Sequence, residues 1–259
     1  MTTRACLILA AGNGERMKPL PTACAKPFVP ACGRPLLEHV ILTAHEAGIR
    51  RFVVVVGERG WRSRRQLRFG PGRRAAIEWV KNEESDKENG VSALKARDKF
   101  HEPFLLLMAD HLFQSKTAAG LLRQSVDAGH VILAVDRKVD RIFDLEDATK
   151  VMVHGKLVSE IGKTLPIFNA VDTGMFLCDP ALFDALRASQ SCGNCSLSDG
   201  MRYLSRRGRL HAWDIGAGLW LDVDTPQALI RGEEMLRRGL FAVGSPGFAA
   251  ALERRGVGA

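Results

Sequence analysis

The sequence lacks any apolar run approaching the roughly 20 residues that a membrane-spanning helix needs. It also lacks the apolar leader of an exported protein, because glycines and charges soon follow the short apolar stretch after Arg4. These absences predict a cytoplasmic protein with no stable membrane insertion. Hydrophobic residues are 46% of the 259 residues, enough for the core of one large domain.

The cysteines are too few and too scattered for a zinc site. Six are present, and only Cys192 and Cys195 form a C-x-x-C pair, with no second pair nearby. A structural zinc site commonly uses two such pairs, or one pair with closely spaced histidines. The pattern favours ordinary loop thiols over metal or redox work at this pair.

Acidic residues are outnumbered, and the formal net charge is +8. Seven arginines lie between Arg59 and Arg74. Such a run is consistent with a solvated helix and loop, a nucleic-acid surface, or a field that attracts anionic substrates. No helix-turn-helix, RNA-recognition or zinc-finger pattern accompanies it, so we expect no nucleic-acid partner. What the run contacts stays open.

Strand-like and helix-like segments alternate through the first half of the chain. Helical patterns lie between the strands, one after Pro35 and one from a serine cap at Ser115 to Gly129. The alternation predicts an α/β, Rossmann-like doubly wound fold with helices on both faces of a mixed, mostly parallel sheet. The apolar runs expected to be strands are CLILAA, RFVVVVG, AIEWVKN, FLLLMAD and HVILAVD.

The regular alternation of strand-like and helix-like segments ends at about residue 145. We expect a hairpin around His154-Gly155, a strand at TGMFLCD, a serine-capped helix, a strand at RLHAWDIG and a closing helix at Pro226. No repeat or low-complexity linker interrupts the chain. We therefore predict one domain over residues 1–238 and a C-terminal tail over 239–259.

A loop with two glycines follows the first strand. Glycines let backbone N–H groups turn inward around an anion, and Arg16 adds a guanidinium fork suited to phosphate. The loop lacks the third glycine of the dinucleotide fingerprint and the Gly-Lys-Ser/Thr of a P-loop. Taken alone, Gly12-x-Gly14 is equally typical of a tight strand-helix connection.

Carboxylates stand at the ends of two predicted strands. Asp110 follows a buried strand, where an unpaired charge is costly, so we expect it to meet a cation; a helix cap or turn is the alternative. Asp222 and Asp224 are one residue apart on a predicted strand and point to the same face. Two carboxylates from different strand ends can hold Mg²⁺, because substrate phosphates supply its other ligands.

The motif LAAGNGERM, the Lys26-Pro27 pair and GRPLLEHVI together resemble the nucleotidyltransferases that activate sugar phosphates and alcohol phosphates. The resemblance implies catalytic roles for Lys26, Arg16 and Asp110, and a Mg²⁺ site at Asp110 and Asp224. It also implies that the glycine loop and the NG-x-S segment hold a nucleoside triphosphate. The implied nucleotide-binding residues are Leu9, Ala10, Ala11, Gly12, Asn13, Gly14, Arg16, Asn89, Gly90, Ser92 and Asp110.

Residues 147–177 narrow the resemblance to inositol-1-phosphate cytidylyltransferases, through Ala-Thr-Lys at 148–150, Ile-Gly-Lys at 161–163 and NAVDTGMF at 169–176. The implied reaction joins CTP and 1L-myo-inositol 1-phosphate to give CDP-inositol and pyrophosphate. We expect Lys150 and Lys163 to bind the incoming phosphate, and Asp172 and Thr173 to bind hydroxyls of the inositol ring. Solvated lysines beside a hairpin and a turn at the start of a strand are the alternatives.

Several alternatives stay open. Phosphocholine and sugar-1-phosphate nucleotidyltransferases share most of these motifs, so the acceptor is not fixed. A regulatory nucleotide-binding homologue is disfavoured, because Lys26, Asp110 and Asp224 are all present. Some members are fused to a membrane-embedded CDP-alcohol phosphotransferase; here we expect a separate membrane enzyme to use the product. The oligomeric state is open, with a homodimer among the alternatives.

Overall fold

The computed structural model describes residues 3–12, 17, 25–67 and 76–241. The strands in these ranges are β1 (Ala5–Ala10), β2 (Pro30–Ala31), β3 (Arg34–Pro35), β4 (Arg51–Val56), β5 (Ala76–Lys81), β6 (Phe104–Met108), β7 (His111–Phe113), β8 (Val131–Asp136), β9 (Lys150–His154), β10 (Leu157–Gly162), β11 (Ala170–Cys178), β12 (Leu210–Asp214) and β13 (Trp220–Asp222). The α-helices are α1 (Leu36–Glu46), α2 (Glu58–Ser63), α3 (Asn89–Leu94), α4 (Ser115–Leu122), α5 (Leu182–Ala188), α6 (Leu197–Ser205) and α7 (Pro226–Arg237). None of these helices combines the length and apolar character that crossing a bilayer requires.

Nine of the strands form one sheet, in the order β5-β4-β1-β6-β11-β8-β12-β10-β9. Parallel pairing joins β5, β4, β1 and β6, and also joins β8 to β12. Strands β11 and β10 run against the others, which makes the sheet mixed. The predicted fold class is therefore confirmed, and all five apolar runs of the first half are strands of this sheet.

Helices cover both faces of the sheet. Alternate strand residues point to opposite faces, so Ile8 and Val54 pack with α1 and α4, whereas Leu7 and Val53 pack with α3, α5 and α6. The central strands are buried on both sides, which explains why their sequences are almost continuously apolar.

One predicted helix is shorter than expected. Helix α4 begins at Ser115 and ends at Leu122, not at Gly129, and its N-cap residue is Gln114 without a capping side-chain bond. Ser125 and Asp127 in the following segment are turn formers, which favour the loop found there. The helix still packs closely, because a Cβ at Gly120 would lie 2.7 Å from the Trp213 ring.

A third core holds the end of the described chain. Strands β7 and β13 form an antiparallel ribbon that packs on α7. Phe241 is buried in this core, and the Gln114 amide donates to the Leu240 carbonyl at 3.0 Å. The packed domain thus extends beyond the predicted boundary at residue 238, to Phe241 at least. The rest of the predicted tail, 242–259, lies outside the described residues.

Candidate active site

The carboxyl ends of β1, β6 and β8 open into a cavity of about 1000 Å³, the edge at which parallel sheets bind ligands. Most of the predicted site residues meet there. Asn13, Gly14 and Arg16 lie outside the described residues. The predicted residues that line the cavity are Leu9, Ala10, Ala11, Gly12, Lys26, Asn89, Ser92, Asp110, Lys163, Asp172 and Asp224.

Lys26 links the two carboxylates predicted to hold a metal. Its Nζ lies 2.6 Å from Asp110 Oδ2 and also contacts Asp224 Oδ1. The Lys26 side chain is only 9% exposed, and charges this deeply buried persist only when they are paired. Pro27 predicts an extended residue before it, yet Lys26 opens the 3-10 turn Lys26–Phe28, which packs against α1. The turn fixes the ammonium at the cavity floor, the part of the cavity lined by Lys26, Asp110, His111, Asp222 and Asp224.

His111 holds the other oxygen of Asp110. Its Nδ1 lies 2.8 Å from Asp110 Oδ1 and 3.7 Å from Asp222 Oδ1. The imidazole stacks on Trp220 with ring centroids 5.8 Å apart. On another side it meets Gly174, where an added Cβ would lie 2.5 Å from the ring. The orientation of Asp110 is therefore set by His111, which is itself held in place by Trp220 and Gly174.

These contacts shift the pKa of several groups. Burial acts to raise the pKa of Asp110, but Lys26 and His111 outweigh it and hold that pKa well below its usual range. Burial acts to lower the pKa of His111, yet Asp222 and Asp110 together raise it to about 9. At neutral pH the floor therefore combines ionised carboxylates with two cations.

Asp172 behaves differently from Asp110. Burial raises the pKa of Asp172 to about 6, against the Gly174 backbone N–H that donates to Oδ1 at 2.7 Å. A carboxyl group that titrates near neutral pH can accept a hydrogen bond from a hydroxyl or donate one. Asp172 is therefore suited to contact a neutral polyol more than a phosphate.

Acidic side chains of the described residues cluster so that they could hold a divalent metal ion. Among the described residues, two groups have ligand atoms within 4.8 Å of one another: Asp110, His111 and Asp222 form one, and Asp147, Asp222 and Asp224 form the other. Most of these ligands are carboxylate oxygens, which Mg²⁺ prefers. Asp222 belongs to both groups but is missing from the predicted ligands. Its alternation with Asp224 already placed it on the same face.

The predicted nucleotide segment lies at the start of α3. Asn89 Oδ1 accepts the Leu197 N–H at 2.7 Å, which ties α3 to α6. Ser92 Oγ accepts from Asn82 Nδ2 at 2.9 Å in a buried contact. Both residues line the cavity, and these bonds fix the backbone around them.

Gly90, predicted to contact the nucleotide, has a packing role and is not among the described residues that line the cavity. A Cβ at Gly90 would lie 2.6 Å from the Cys195 carbonyl oxygen and 2.8 Å from Cys195 Sγ. Only a glycine lets the two segments approach this closely. Cys192, on an exposed turn, and the buried Cys195 are both free thiols.

Two of the four predicted acceptor contacts line the cavity, and two support it. Lys163 Nζ lies 2.7 Å from Asp147 Oδ1 at the rim. Lys150 is buried and donates to the Glu146 carbonyl at 2.6 Å. The Thr173 hydroxyl is fully buried and donates to the Ala134 carbonyl at 2.7 Å. Of the described residues, Lys150 and Thr173 are not among those lining the cavity, which argues against the predicted direct contacts.

Sequence reasoning missed Asp136 and its partners. Asp136, at the end of β8, is buried and accepts from Trp220 Nε1 at 3.0 Å and from Lys138 Nζ at 2.7 Å. The signal was present, since VILAVD ends in an aspartate as FLLLMAD does. Phe143 and Arg231 were missed as well. The Arg231 guanidinium lies 5.0 Å from the Phe143 ring centroid, a contact with no local sequence signal.

The described part of the basic run is a partly paired helix surface. Glu58 pairs with Arg62 at 3.0 Å and with Lys81 at 2.7 Å. The Arg64 guanidinium stacks over the Trp61 ring at 4.1 Å. This agrees with a solvated helix, and residues 68–75 of the run lie outside the described ranges.

Comparison with known proteins gives one family match and several relatives. Residues 6–209 match the MobA-like NTP transferase domain. A Rubrobacter xylanophilus protein named bifunctional IPC transferase and DIPP synthase is 34% identical over 93% of this chain and 53% of its own length. The protein of the same name from Thermococcus kodakarensis is 33% identical over 96% of this chain and 54% of its own. The chain spans about half the length of these curated relatives.

Solved structures show the same fold. The inositol-1-phosphate CTP transferase from T. maritima superposes with a TM-score of 0.83 at 24% identity, over 95% of this chain and 99% of that one. A UDP-glucose pyrophosphorylase in complex with UDP-glucose gives 0.76 at 16% identity, over 91% and 99% of the two chains. At these identities the likeness concerns the fold alone.

Proposed function

We propose that this chain, which belongs to the MobA-like NTP transferase family, is a nucleotidyltransferase that joins CTP to 1L-myo-inositol 1-phosphate and releases pyrophosphate. One observation carries the proposal: Lys26 is held between Asp110 and Asp224 on the floor of a cavity large enough for both substrates. The printed names of the relatives and of the T. maritima structure support an inositol phosphate as the acceptor.

The reaction needs alignment more than a protein nucleophile. An ionised oxygen of the inositol phosphate attacks the α-phosphorus of CTP in line. A new P–O bond forms, the bond to the β-phosphate oxygen breaks, and pyrophosphate leaves with the electron pair. Because both reactants are polyanions, fixed positive charge and positioning supply most of the catalysis.

The cavity floor performs these tasks with few residues. The Lys26 ammonium neutralises charge that grows at the α-phosphate. Asp110 and Asp224, with Asp222, would hold Mg²⁺, which when bound polarises phosphate oxygens. His111 keeps Asp110 in position through its 2.8 Å bond and transfers no proton in the reaction.

Different residues of the cavity wall bind the two substrates. Residues 9–12, Asn89 and Ser92 surround the nucleotide, and Asn13, Gly14 and Arg16 are assigned to its phosphates on the motif alone. Lys163 and Asp172 meet the acceptor. Lys150 and Thr173 do not contact the acceptor and instead fix the backbone around its binding site.

We further propose that the protein acts in the cytoplasm and that a membrane CDP-alcohol phosphotransferase consumes its product. The relatives carry a bifunctional name that joins two activities in one protein, which supports such a coupling.

The test is pyrophosphate release with Mg²⁺ across the nucleoside triphosphates, each paired with inositol 1-phosphate, phosphocholine and glucose 1-phosphate. We expect turnover only with CTP and inositol 1-phosphate. Asp110→Asn should lower kcat by about 100-fold or more, as loss of a group that stabilises the transition state does. Asp127→Asn, an exposed carboxylate outside the cavity, is the matched control and should keep full activity.

Other results would contradict the proposal at different levels. Turnover only with glucose 1-phosphate or phosphocholine would overturn the acceptor and keep the nucleotidyl transfer. Full activity of Asp110→Asn would overturn the role of the carboxylate cluster.

A further inference from the structure

Among the described residues, six lysine and arginine side chains line the cavity, and five of them are paired. Lys163 and Lys138 pair with Asp147 and Asp136 at 2.7 Å each. Among the described residues, Arg231 alone of the six has no acidic partner. The other paired cations are Lys26 with Asp110 and Asp224, Lys87 with Glu84, and Arg141 with Asp140.

The position of Arg231 is set by α7. The helix begins at Pro226, and its N-cap Thr225 directly follows Asp224. Ala228, Arg231 and Met235 then lie at helical spacing along the cavity wall. The Arg231 guanidinium lies over the Phe143 ring, 5.0 Å from its centroid. A cation–π contact orients the guanidinium and leaves its charge unneutralised.

Arg231 belongs to the acceptor end of the cavity. Phe143 lies between β8 and β9, in the segment that also supplies Asp147, the partner of Lys163. Residues 9–12 at the end of β1 and the start of α3 also line the cavity. At the acceptor end the predicted phosphate ligands are already engaged, Lys163 by Asp147 and Lys150 by the Glu146 carbonyl.

We infer that Arg231 binds the phosphate of the incoming acceptor, a phosphomonoester of a small polyol, and that Phe143 positions its guanidinium. The inference rests on the proposed function. A planar guanidinium matches a phosphate with two parallel hydrogen bonds, which an ammonium cannot do. The guanidinium of Arg231, which has no acidic partner among the described residues, is therefore a better anion receptor than the paired lysines.

The test separates the two substrates kinetically. We expect Arg231→Gln to raise the KM for the acceptor about 10- to 100-fold, the effect of losing a charge-assisted hydrogen-bonded pair. The KM for CTP should stay within about twofold. Arg231→Lys should lie between the two proteins, and Phe143→Leu should raise the acceptor KM a few-fold, roughly what a lost cation–π contact gives. Arg238→Gln, at the C-cap of the same helix and outside the cavity, is the charge-matched control.

The outcomes distinguish this inference from the proposed function. An unchanged acceptor KM, or an equal rise in both KM values, overturns the role of Arg231 whichever acceptor the wild type uses. If the wild type turns over no pair, the proposed function has failed, and calorimetric titration with inositol 1-phosphate and glucose 1-phosphate decides on Arg231. Binding at least tenfold weaker in Arg231→Gln than in the wild type would support the inference. Equal binding, or none to the wild type, would overturn it.

Discussion

Each residue of the cavity floor is held in position by contacts with the others. Lys26 is held by two carboxylates, and one of these, Asp110, is held in turn by His111. Trp220 and Gly174 fix the histidine from two sides. A substitution at any of these residues therefore displaces charges beyond its own contacts, so its effects will not add to those of its neighbours.

Asp222 offers a test of the metal site at the level of one residue. Because it belongs to both acidic groups, we expect Asp222→Asn to raise the Mg²⁺ concentration for half-maximal pyrophosphate release about 10-fold or more, as loss of a carboxylate ligand does. Asp224→Asn should do the same. Asp140→Asn, an exposed residue outside the cavity, serves as control. An unchanged curve for Asp222→Asn would restrict the ligands to Asp110 and Asp224, as the sequence predicted.

His39 predicts how stability depends on pH. Burial lowers the pKa of His39 to about 4, with Arg34 adding to the effect and the 2.9 Å hydrogen bond to the Ala31 carbonyl opposing it. The unfolded chain therefore takes up this proton first as the pH falls from about 6.5 to 4. Over that window the free energy of unfolding should drop by about 3 kcal/mol through this residue.

Urea unfolding at several pH values measures the effect. His39→Gln keeps a donor for the Ala31 carbonyl without titrating, so its stability should fall less over the same window. His101→Gln replaces an exposed histidine and should follow the wild type. An identical pH slope in His39→Gln and the wild type would assign the acid sensitivity to other groups.

Sequence patterns predicted many of the residues that line the cavity but not their contacts. Asp110 and Asp224 stand at recognisable strand ends, and both line the cavity. Thr173 shares the same motif, yet its hydroxyl points into the sheet and bonds to Ala134. Which side of a strand faces a ligand depends on how its neighbours pack, and a short motif does not contain that information.

At the scale of secondary-structure elements, the site depends on close approach between segments. Strand β11 turns at Gly174, whose φ is +73°, and this turn brings the strand against the His111 ring. The hairpin of β9 and β10 turns at Gly155, whose φ is +60°, with no atom within 4 Å of an added Cβ. The two glycines share a backbone conformation and differ in their surroundings.

Alanine at these two glycines separates backbone strain from crowding. Gly155→Ala should cost about 1 kcal/mol, the strain of a left-handed residue. Gly174→Ala adds a clash with His111 and should cost about 2–4 kcal/mol, with a large loss of activity because Asp110 moves with the ring. Urea unfolding and kcat measure both. Equal costs, with full activity in Gly174→Ala, would show that the histidine shifts without consequence.

Most helices and strands were predictable from hydrophobic periodicity and from the turn-forming and capping residues at their ends. The predicted hairpin and the serine-capped helix are confirmed, the latter with a reciprocal capping box between Ser196 and Asp199. Helix α4 was predicted too long, because a glycine at 129 was taken as its end although turn formers intervene. Local signals mark where a helix can end, and competing loop contacts decide where it does.

At the scale of the whole molecule, the resemblance to nucleotidyltransferases is confirmed by the family match over residues 6–209. The fold class was predictable because alternating strands and helices leave few arrangements. The order of the sheet was not, since β11 and β9 return from distant parts of the chain. Lys26 and Asp110 are 84 positions apart and meet only through that order.

The end of the domain gives a last test. Phe241 is 3% exposed and packs with Leu236 and Leu112, beneath the helix that follows Asp224. A chain truncated after Arg238 should therefore be less stable than one truncated after Phe241 by about 2–4 kcal/mol, the cost of losing a buried phenylalanine. Its Mg²⁺ requirement should also rise, because α7 is then less firmly held. Urea unfolding of both truncations, with Phe241→Ala in the full chain as control, decides the matter. Equal unfolding midpoints of the two truncations would place the domain boundary at residue 238, as predicted. A loss of stability in Phe241→Ala equal to that of the shorter truncation would assign the effect to this one side chain.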